Sequence, residues 1–298
     1  MNEQPLVSVV VLSFNHEKFI ERSLLSVIHQ TYTNFQIIYI DNCSSDGSFE
    51  KGVRVLEQST VNFSAEKMIQ NLGTARGVNY AIRKFAIGEY IAPHAGDDWW
   101  DMDCLKDKVE YFQNNPDYGM VYGNGYNFNN ESAEMDLYYK KPSISGWIFK
   151  DLLKAPRINP LGILYKNSLL KELGYFDEDC KVEDRELWFR IAKVAPVGYV
   201  HKPGTYYRVN HQGNISRNLA YMKEGNEYIF KMYEKEFPEE IKAARLRQYQ
   251  YFAGFLATSE PSIDSIKFIL KNYHFDWLYT KQIIKCALNI IKRKVNLK

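Results

Sequence analysis

Glu89 to Trp100 reads EYIAPHAGDDWW. An apolar run, Tyr90-Ile91-Ala92, reaches Pro93, a break of small residues follows, and two adjacent carboxylates, Asp97 and Asp98, precede Trp99 and Trp100. This is the pattern of a buried strand that stops and presents a carboxylate pair at its carboxyl end. In open α/β sheets, ligands gather at the carboxyl ends of the strands. Two carboxylates held so close repel each other, and a divalent cation is the usual compensation. The same letters also suit a solvated turn, because Gly-Asp is ordinary turn chemistry.

The chain upstream decides what kind of sheet this strand joins. Leu6 to Leu12 is a continuous, valine-rich apolar run, the signature of a central parallel strand buried on both faces. Ser13-Phe14-Asn15 ends it, with Asn15 placed as an N-cap. The helix that follows is predicted to about Gln30, with Ile20, Leu24, Val27 and Ile28 on one face. Phe35 to Ile40 reads as a second strand, broken by DNCSSDGS from Asp41 to Ser48, a loop dense in acceptors and turn formers. Val61 to Phe63 is a short third strand. Asn71-Leu72-Gly73 leads into a helix with Ala75, Val78, Ile82 and Phe85 inward. Strands alternating with helices predict an α/β fold, with a mostly parallel sheet and right-handed crossovers. The loops holding Asn15, Asp41 to Asp46 and Asp97-Asp98 then share one sheet edge.

Downstream, a helix is predicted over Met102 to Asn114 and a strand over Tyr118 to Tyr122. Gly123 to Lys141 is polar, aromatic and asparagine-rich, and reads as a long loop or irregular insertion, the usual place for a lid or an acceptor contact. Trp147 to Leu153 reads as helix and Leu161 to Tyr165 as strand. Gly174 to Asp184 is a loop opening a helix, and Val197 to Val200 and Thr205 to Val209 are strands. After Asn218 the pattern turns helical, over Glu224 to Glu234, Glu239 to Ala257, Ser262 to Asn272 and Phe275 to Val295. The expected organisation is an α/β domain over 1–217 and a helical C-terminal region over 218–298.

Composition excludes several classes. The 298 residues are 45% hydrophobic, enough for one substantial core and a smaller appendage. A net charge of +2 with 25% charged residues fits neither a disordered chain nor a general nucleic-acid binder. Cys43, Cys104, Cys180 and Cys286 are too dispersed for a zinc knuckle or redox pair, and nothing forces disulfides, so a reducing, cytoplasmic setting is expected. MNEQPLVSVVVLSFN lacks the positive start of a secretory signal, and no window approaches the roughly 18 apolar residues of a membrane span.

No GxGxxG follows the first strand, and neither a phosphate-binding GxxxxGK[ST] nor a GxSxG elbow occurs. What remains is a set of carboxylates and amides at strand ends: Asp41, Asn42, Asp46, Asp97, Asp98, Glu183 and Asp184. Such a set suits a divalent cation bound to substrate phosphates.

Three stretches, in order, resemble family 2 inverting glycosyltransferases. VSVVVLSFNHEKFIERSLLSVIHQTYTNFQIIYIDNCSSDGS is similar to the family's opening. NLGTARGVNYAIRKFAIGEYIAPHAGDDWW is similar to its approach to an aspartate metal motif, and EDRELWFRIA to its Glu-Asp helix start. The resemblance covers roughly residues 5–215. It implies the glycosyltransferase A fold, a nucleotide-sugar donor and Mn²⁺ or Mg²⁺. By the same resemblance Ser13, Phe14, Asn15, Asp41 and Asn42 receive the nucleoside, and Arg76 and Asn79 contact the nucleotide and pyrophosphate. Asp97 sits by the ribose or metal, Asp98 binds the metal, and His211 closes over the diphosphate or metal. Asp184, with Glu183 beside it, is the catalytic base. Asn42 replaces an aspartate of the family pattern, which leaves UDP, dTDP and GDP donors open. Ala95 also stands where an aspartate is frequent. The Gln/Arg-x-x-Arg-Trp stretch of processive synthases is missing, which implies one sugar per binding event.

Each of these residues has a plain structural alternative. Asp184 suits a helix N-cap, and Asp46-Gly47 suits a turn. His211 and Arg76 suit solvent. Trp99 and Trp100 suit either an acceptor-sugar platform or packing. In the last helix, Ile284, Leu288, Ile291 and Val295 form a stripe widened by Ile283, Ala287 and Ile290, with Lys281, Lys285, Lys292 and Arg293 alongside. That pattern over 275–298 suits the surface of a membrane, or docking on the catalytic domain or on the second subunit of a homodimer. The expected activity is transfer of one sugar to a glycan or lipid-linked acceptor at the inner face of the cell membrane. A sugar-nucleotide pyrophosphorylase and a non-catalytic carbohydrate-binding scaffold are the alternatives.

Overall fold

The computed structural model describes residues 4–141, 143–209, 218–259, 262–271 and 277–295. Contacts divide the chain into one unit of residues 1–152 and 156–217 and another of 153–155 and 218–298.

The first unit grows from β1 (Val7–Ser13), whose apolar side chains are almost all fully buried. Between α1 (Ile20–Ile28) and α2 (Ser48–Glu57) lies β2 (Phe35–Asp41), and β3 (Phe63–Lys67) follows. α3 (Thr74–Phe85) leads to β4 (Tyr90–Ala95) and β5 (Trp99–Trp100). Then come α4 (Cys104–Asn114), β6 (Met120–Gly123), β7 (Tyr126–Asn129), β8 (Met135–Leu137), α5 (Phe149–Lys154), β9 (Leu164–Lys166), α6 (Asn167–Glu172), α7 (Glu183–Val194), β10 (Val197–Val200) and β11 (Thr205–Val209).

Seven strands form the main sheet in the order β10-β6-β9-β4-β1-β2-β3. β1 pairs in parallel with β2, Val9 opposite Ile37, and with β4, Val9 opposite Ala92. Only β9 reverses, running antiparallel to both β4 and β6. The expected mostly parallel α/β sheet is therefore present. On one face Ile20, Leu24 and Val27 of α1 cover Val7, Val9 and Val11, and each fully buried side chain of this kind contributes roughly 1.5–3 kcal/mol. Gly88 lets β4 begin beside β1. A Cβ there would meet the Ser8 amide nitrogen at 2.6 Å, and its own N–H donates to Ser8 Oγ at 2.9 Å.

Several elements differ from the sequence expectation. Asn15 is not the N-cap of α1. Phe19 is, and Asn15 adopts a left-handed φ of 57°, because its side chain is used across the loop, as described below. α2 was not predicted: its buried face is Ser48, Gly52 and Leu56, with one large apolar side chain and so no helical stripe. β3 begins where the expected strand ends. The expected loop over 123–141 holds two strands of a second sheet, ordered β5-β11-β7-β8. β7 pairs in parallel with β11, Phe128 opposite Arg208. Its partner on one side, β11, is far away in the chain, and on the other it forms a short hairpin with β8, whose residues are all exposed, so the local signal is weak.

The second unit holds α8 (Leu219–Tyr233), α9 (Pro238–Ser259), α10 (Ile263–Lys271) and α11 (Trp277–Val295). Asn218 caps α8, its side chain accepting from the Tyr221 amide at 3.0 Å. Ala253, Ala257, Ile269 and Cys286 are buried together, with Ile283 and Ile290 packed against them. Ile284, Leu288 and Ile291 of α11 are more than half exposed. Among the described residues, no helix is long and apolar enough to cross a membrane.

Candidate active site

The first strand-end loop is built by its own polar residues. Asp41, which is fully buried, accepts from Ser13 Oγ at 2.8 Å, the Ser44 amide at 2.7 Å and Ser44 Oγ at 2.6 Å. Asn42 donates to Asn71 Oδ1 at 2.9 Å and to the Gly73 carbonyl at 3.3 Å, and its Oδ1 accepts from the Leu72 amide at 2.9 Å. Asn15 Oδ1 accepts from the Ser45 amide at 2.9 Å. Asp46 accepts from the amides of Ser48 and Glu17. Ser13, Asp41 and Asn42 thus shape the loop from inside. A buried acceptor must be satisfied, and the nearest hydroxyls and amides do so first. Phe14 and Asn15 are the exposed members of the set, Phe14 with 43% of its surface open.

The acidic pair follows β4 directly. The Gly96 amide donates to the Leu12 carbonyl at 2.8 Å, and the Asp98 amide to the Ala95 carbonyl at 3.2 Å, closing a tight turn. A Cβ on Gly96 would lie 3.0 Å from both Ser13 Cβ and His16 Nδ1, so the end of β1 presses against this turn. Asp98 is buried, and its Oδ1 accepts from the Arg208 amide at 2.7 Å. Burial first, and the Asp97 charge second, push its carboxyl well above the usual range, against the pull of Arg208. Asp97 Oδ2 lies 3.9 Å from His16 Nε2.

Trp99 and Trp100 are not an open sugar platform. They form β5, with Trp100 opposite Thr205 and Trp99 opposite Tyr206 of β11, and both are buried. Trp99 stacks on Tyr206 at 5.0 Å and carries the Arg22 guanidinium 3.7 Å from its ring centre. Trp100 packs on His94 at 4.4 Å.

The other carboxylates open α7. Val182 holds the N-cap position, and Glu183 and Asp184 are in the first turn. Asn79 fixes the approach to this helix. It is fully buried, donates to the Phe176 carbonyl at 2.8 Å and to Glu178 Oε1 at 3.0 Å, and accepts from the Phe176 amide at 3.1 Å. Arg76 is exposed and pairs with Glu178 at 3.4 Å. Burial, then the Asp184 charge, pushes the Glu183 carboxyl up to about 8. Burial also raises Asp184, opposed by the Arg185 charge and the Arg185 amide 2.6 Å from Oδ1. The helix N-terminus favours ionised carboxylates, but here desolvation outweighs it.

Asp97 and Asp98 follow the carboxyl end of β4, and Glu183 and Asp184 open α7. β4 and β6 both run opposite to β9, so they run together. The Arg185 charge reaches the Tyr139 hydroxyl, and the Tyr139 amide donates at 3.1 Å to Asn124, the residue following β6. The Asp184 and Glu183 charges act on the Tyr165 hydroxyl of β9, the strand between β4 and β6. His211 lies outside the described residues. Arg208, Arg22 and His16, which border the acidic turn, were not foreseen. Each approaches from another segment, and no local spacing marks them.

No group of three or more His, Cys, Asp or Glu that could hold a metal occurs among the described residues. Asp98 still fits a hard cation. It is a buried carboxyl next to a second one, and a cation would reverse the cause of its raised pKa. Such ions take one or two carboxylates and fill the rest of their shell with phosphate and water oxygens.

Comparison with known proteins agrees with this arrangement. A family model described as glycosyl transferase family 2 matches residues 8–182, more than half of the chain. The Escherichia coli protein named UDP-Glc:alpha-D-GlcNAc-diphosphoundecaprenol beta-1,3-glucosyltransferase WfgD is 31% identical over 191 residues, which cover 63% of this chain and 70% of that protein. Escherichia coli chondroitin synthase is 24% identical over 83% of this chain and 34% of its own length. The chain spans 33% of an uncharacterized glycosyltransferase of Rickettsia felis that it also matches. Among solved structures, Staphylococcus aureus TarS 1–349 superimposes with a TM-score of 0.65 at 18% identity, covering 89% of this chain and 78% of that one. The Pyrobaculum calidifontis mannosyltransferase PcManGT, solved with GDP-Man and Mn²⁺, gives 0.62 at 18% identity, covering 99% and 88%. With a family match over most of the α/β unit and this shared architecture, the chain belongs to glycosyl transferase family 2 and has the glycosyltransferase A fold.

Proposed function

We propose that this protein is an inverting glycosyltransferase. In this reading it moves a single sugar from a nucleotide-sugar donor to a hydroxyl of a glycan or lipid-linked acceptor during polysaccharide synthesis. The observation that carries the reading is the presence of two acidic sites, Asp97-Asp98 in the turn after β4 and Glu183-Asp184 in the first turn of α7, with Asp98, Glu183 and Asp184 raised by burial.

The roles follow from the environments. Phe14 offers an exposed ring at the lip of the donor loop, and Asn15 borders it. Asp98, with Asp97 beside it, would hold Mn²⁺ or Mg²⁺; such an ion, when bound, stabilises the charge growing on a leaving diphosphate. Asp184 takes the proton of the acceptor hydroxyl as the oxygen attacks the anomeric carbon from the face opposite the breaking phosphate bond. A carboxyl raised above its ordinary value is a stronger base for that transfer. Burial, and then the Asp184 charge, keep a proton on Glu183 up to about pH 8. With Asn42 committed inside the loop, no carboxylate reads the base there. WfgD carries UDP-Glc in its name, TarS has been solved with UDP and with UDP-GlcNAc, and PcManGT with GDP-Man. Donors linked to UDP, dTDP or GDP are therefore the ones to try. Calorimetric titration with UDP, dTDP and GDP, each with and without Mn²⁺, tests the reading. Metal-dependent binding of at least one is expected, and absence of binding to all three removes it.

The protein is further proposed to work in the cytoplasm, held at the inner face of the membrane through α11. Ile284, Leu288 and Ile291 stand exposed beside the exposed Lys281, Lys285 and Lys292, a combination suited to an anionic bilayer surface. Changing the three apolar residues to Ser should release the protein from anionic liposomes in a flotation assay. Unchanged flotation assigns the stripe to a protein partner, such as a second copy.

A further inference from the structure

Arg208 of β11 ties the acidic turn to the rest of the site. Its backbone N–H donates to Asp98 Oδ1 at 2.7 Å, its Nε–H to the Asp97 carbonyl at 2.8 Å, and its Nη1 to Asn130 Oδ1 at 2.8 Å. The guanidinium carbon lies 4.5 Å from the Phe19 ring centre, 4.9 Å from Trp99 and 5.5 Å from Phe128. Only 6% of the residue is exposed. One side chain thus joins the Asp97-Asp98 turn, the residue after β7, the start of α1 and the small sheet.

The geometry needs arginine rather than a positive charge alone. A guanidinium is planar and presents its N–H groups in a fixed fork, so one group can bond Asp97 and Asn130 at once while its flat face lies among rings. A lysine ammonium is a point charge on a flexible stem and cannot span both acceptors. By clamping β11 against the turn, the side chain also fixes its own backbone N–H, the one that aims the Asp98 carboxylate. We propose that Arg208 is a positioning residue. Its guanidinium locks the Asp97-Asp98 turn in the orientation that receives the diphosphate end of the donor. This rests on the glycosyltransferase reading above.

Calorimetry of nucleoside diphosphate with Mn²⁺, run on full-length Arg208→Lys, Arg208→Gln and Asn130→Ala, tests it beside thermal melting of the same proteins. Arg208→Lys and Arg208→Gln should each weaken binding by at least tenfold per folded molecule, with lysine giving no rescue. The donor KM should rise more than kcat falls. Asn130→Ala, which removes one arm of the clamp and leaves the charge, should weaken binding severalfold. If Arg208→Lys binds within twofold of the unsubstituted protein, or if melting falls while affinity is unchanged, the positioning role is overturned. If the unsubstituted protein binds no nucleotide with metal, the glycosyltransferase reading fails and takes this role with it; a normal parent with an indifferent lysine variant sinks only the role.

Discussion

Asp184→Asn is expected to lower kcat by about 10²–10⁴-fold, the usual contribution of a positioned proton acceptor, and to leave donor binding in place, if Asp184 is the proposed base. The substitution keeps shape and keeps an oxygen for the Arg185 amide that now donates to Oδ1, so folding is preserved. What it removes is the capacity to accept a proton. Turnover within tenfold of the parent would dismiss Asp184 as the base. The pH profile follows from the same environment. Asp184 is raised by burial, so kcat/KM should fall as pH drops through a pKa above the ordinary aspartate range. Stability moves the opposite way through Glu183. Its folded-state pKa of about 8 exceeds the reference value of 4.5, so the fold favours the protonated form. That contribution is fully present below pH 4.5 and is lost as pH rises through about 8. A shift of this size corresponds to a few kcal/mol. Glu183→Gln should therefore flatten the decline of melting temperature between about pH 4.5 and pH 8, and an unchanged slope would show that Glu183 is not the group responsible.

Asp98→Asn should abolish metal-dependent nucleotide binding and cost about 10²-fold or more in kcat/KM, since Lewis-acid stabilisation by a bound cation is worth several kcal/mol. The same substitution should not destabilise the protein. An amide oxygen can still accept from the Arg208 N–H, and an ionisable group that burial disfavours is gone. Lost affinity with an equal or higher melting temperature at pH 8 is the expected pair of results. Intact Mn²⁺-dependent binding in this variant would move the cation site elsewhere.

The parallel core was legible because β1 and β2 are buried on both faces and read as short, predominantly apolar runs rich in Val and Ile. α1 was legible from its apolar spacing, whereas α2, with a single large buried apolar residue, was not. The small sheet escaped because β5 is two residues long and takes its partner from β11, more than a hundred residues on. At the candidate site, residue type was legible and local bonding was not. Asp41, Asn42 and Asn79 have the acceptors and donors a nucleotide needs, and in the fold they also bond Ser44, Leu72 and Phe176. Asp97, Asp98, Glu183 and Asp184 differ because burial raises Asp98, Glu183 and Asp184 and leaves an electrostatic demand that the protein alone does not meet.

The order β5-β11-β7-β8 gives the small sheet two unequal margins. One margin is welded to the acidic turn, so inserting a single residue between Asp98 and Trp99 would rotate the indoles out of register and drag the carboxylates with them. The other margin, Met135–Leu137, is exposed along its length and has no strand beyond it among the described residues. Lengthening or shortening the hairpin there leaves the turn undisturbed. A lineage built on this frame can remodel what it grips at the loose border while the chemistry at the anchored one stays put.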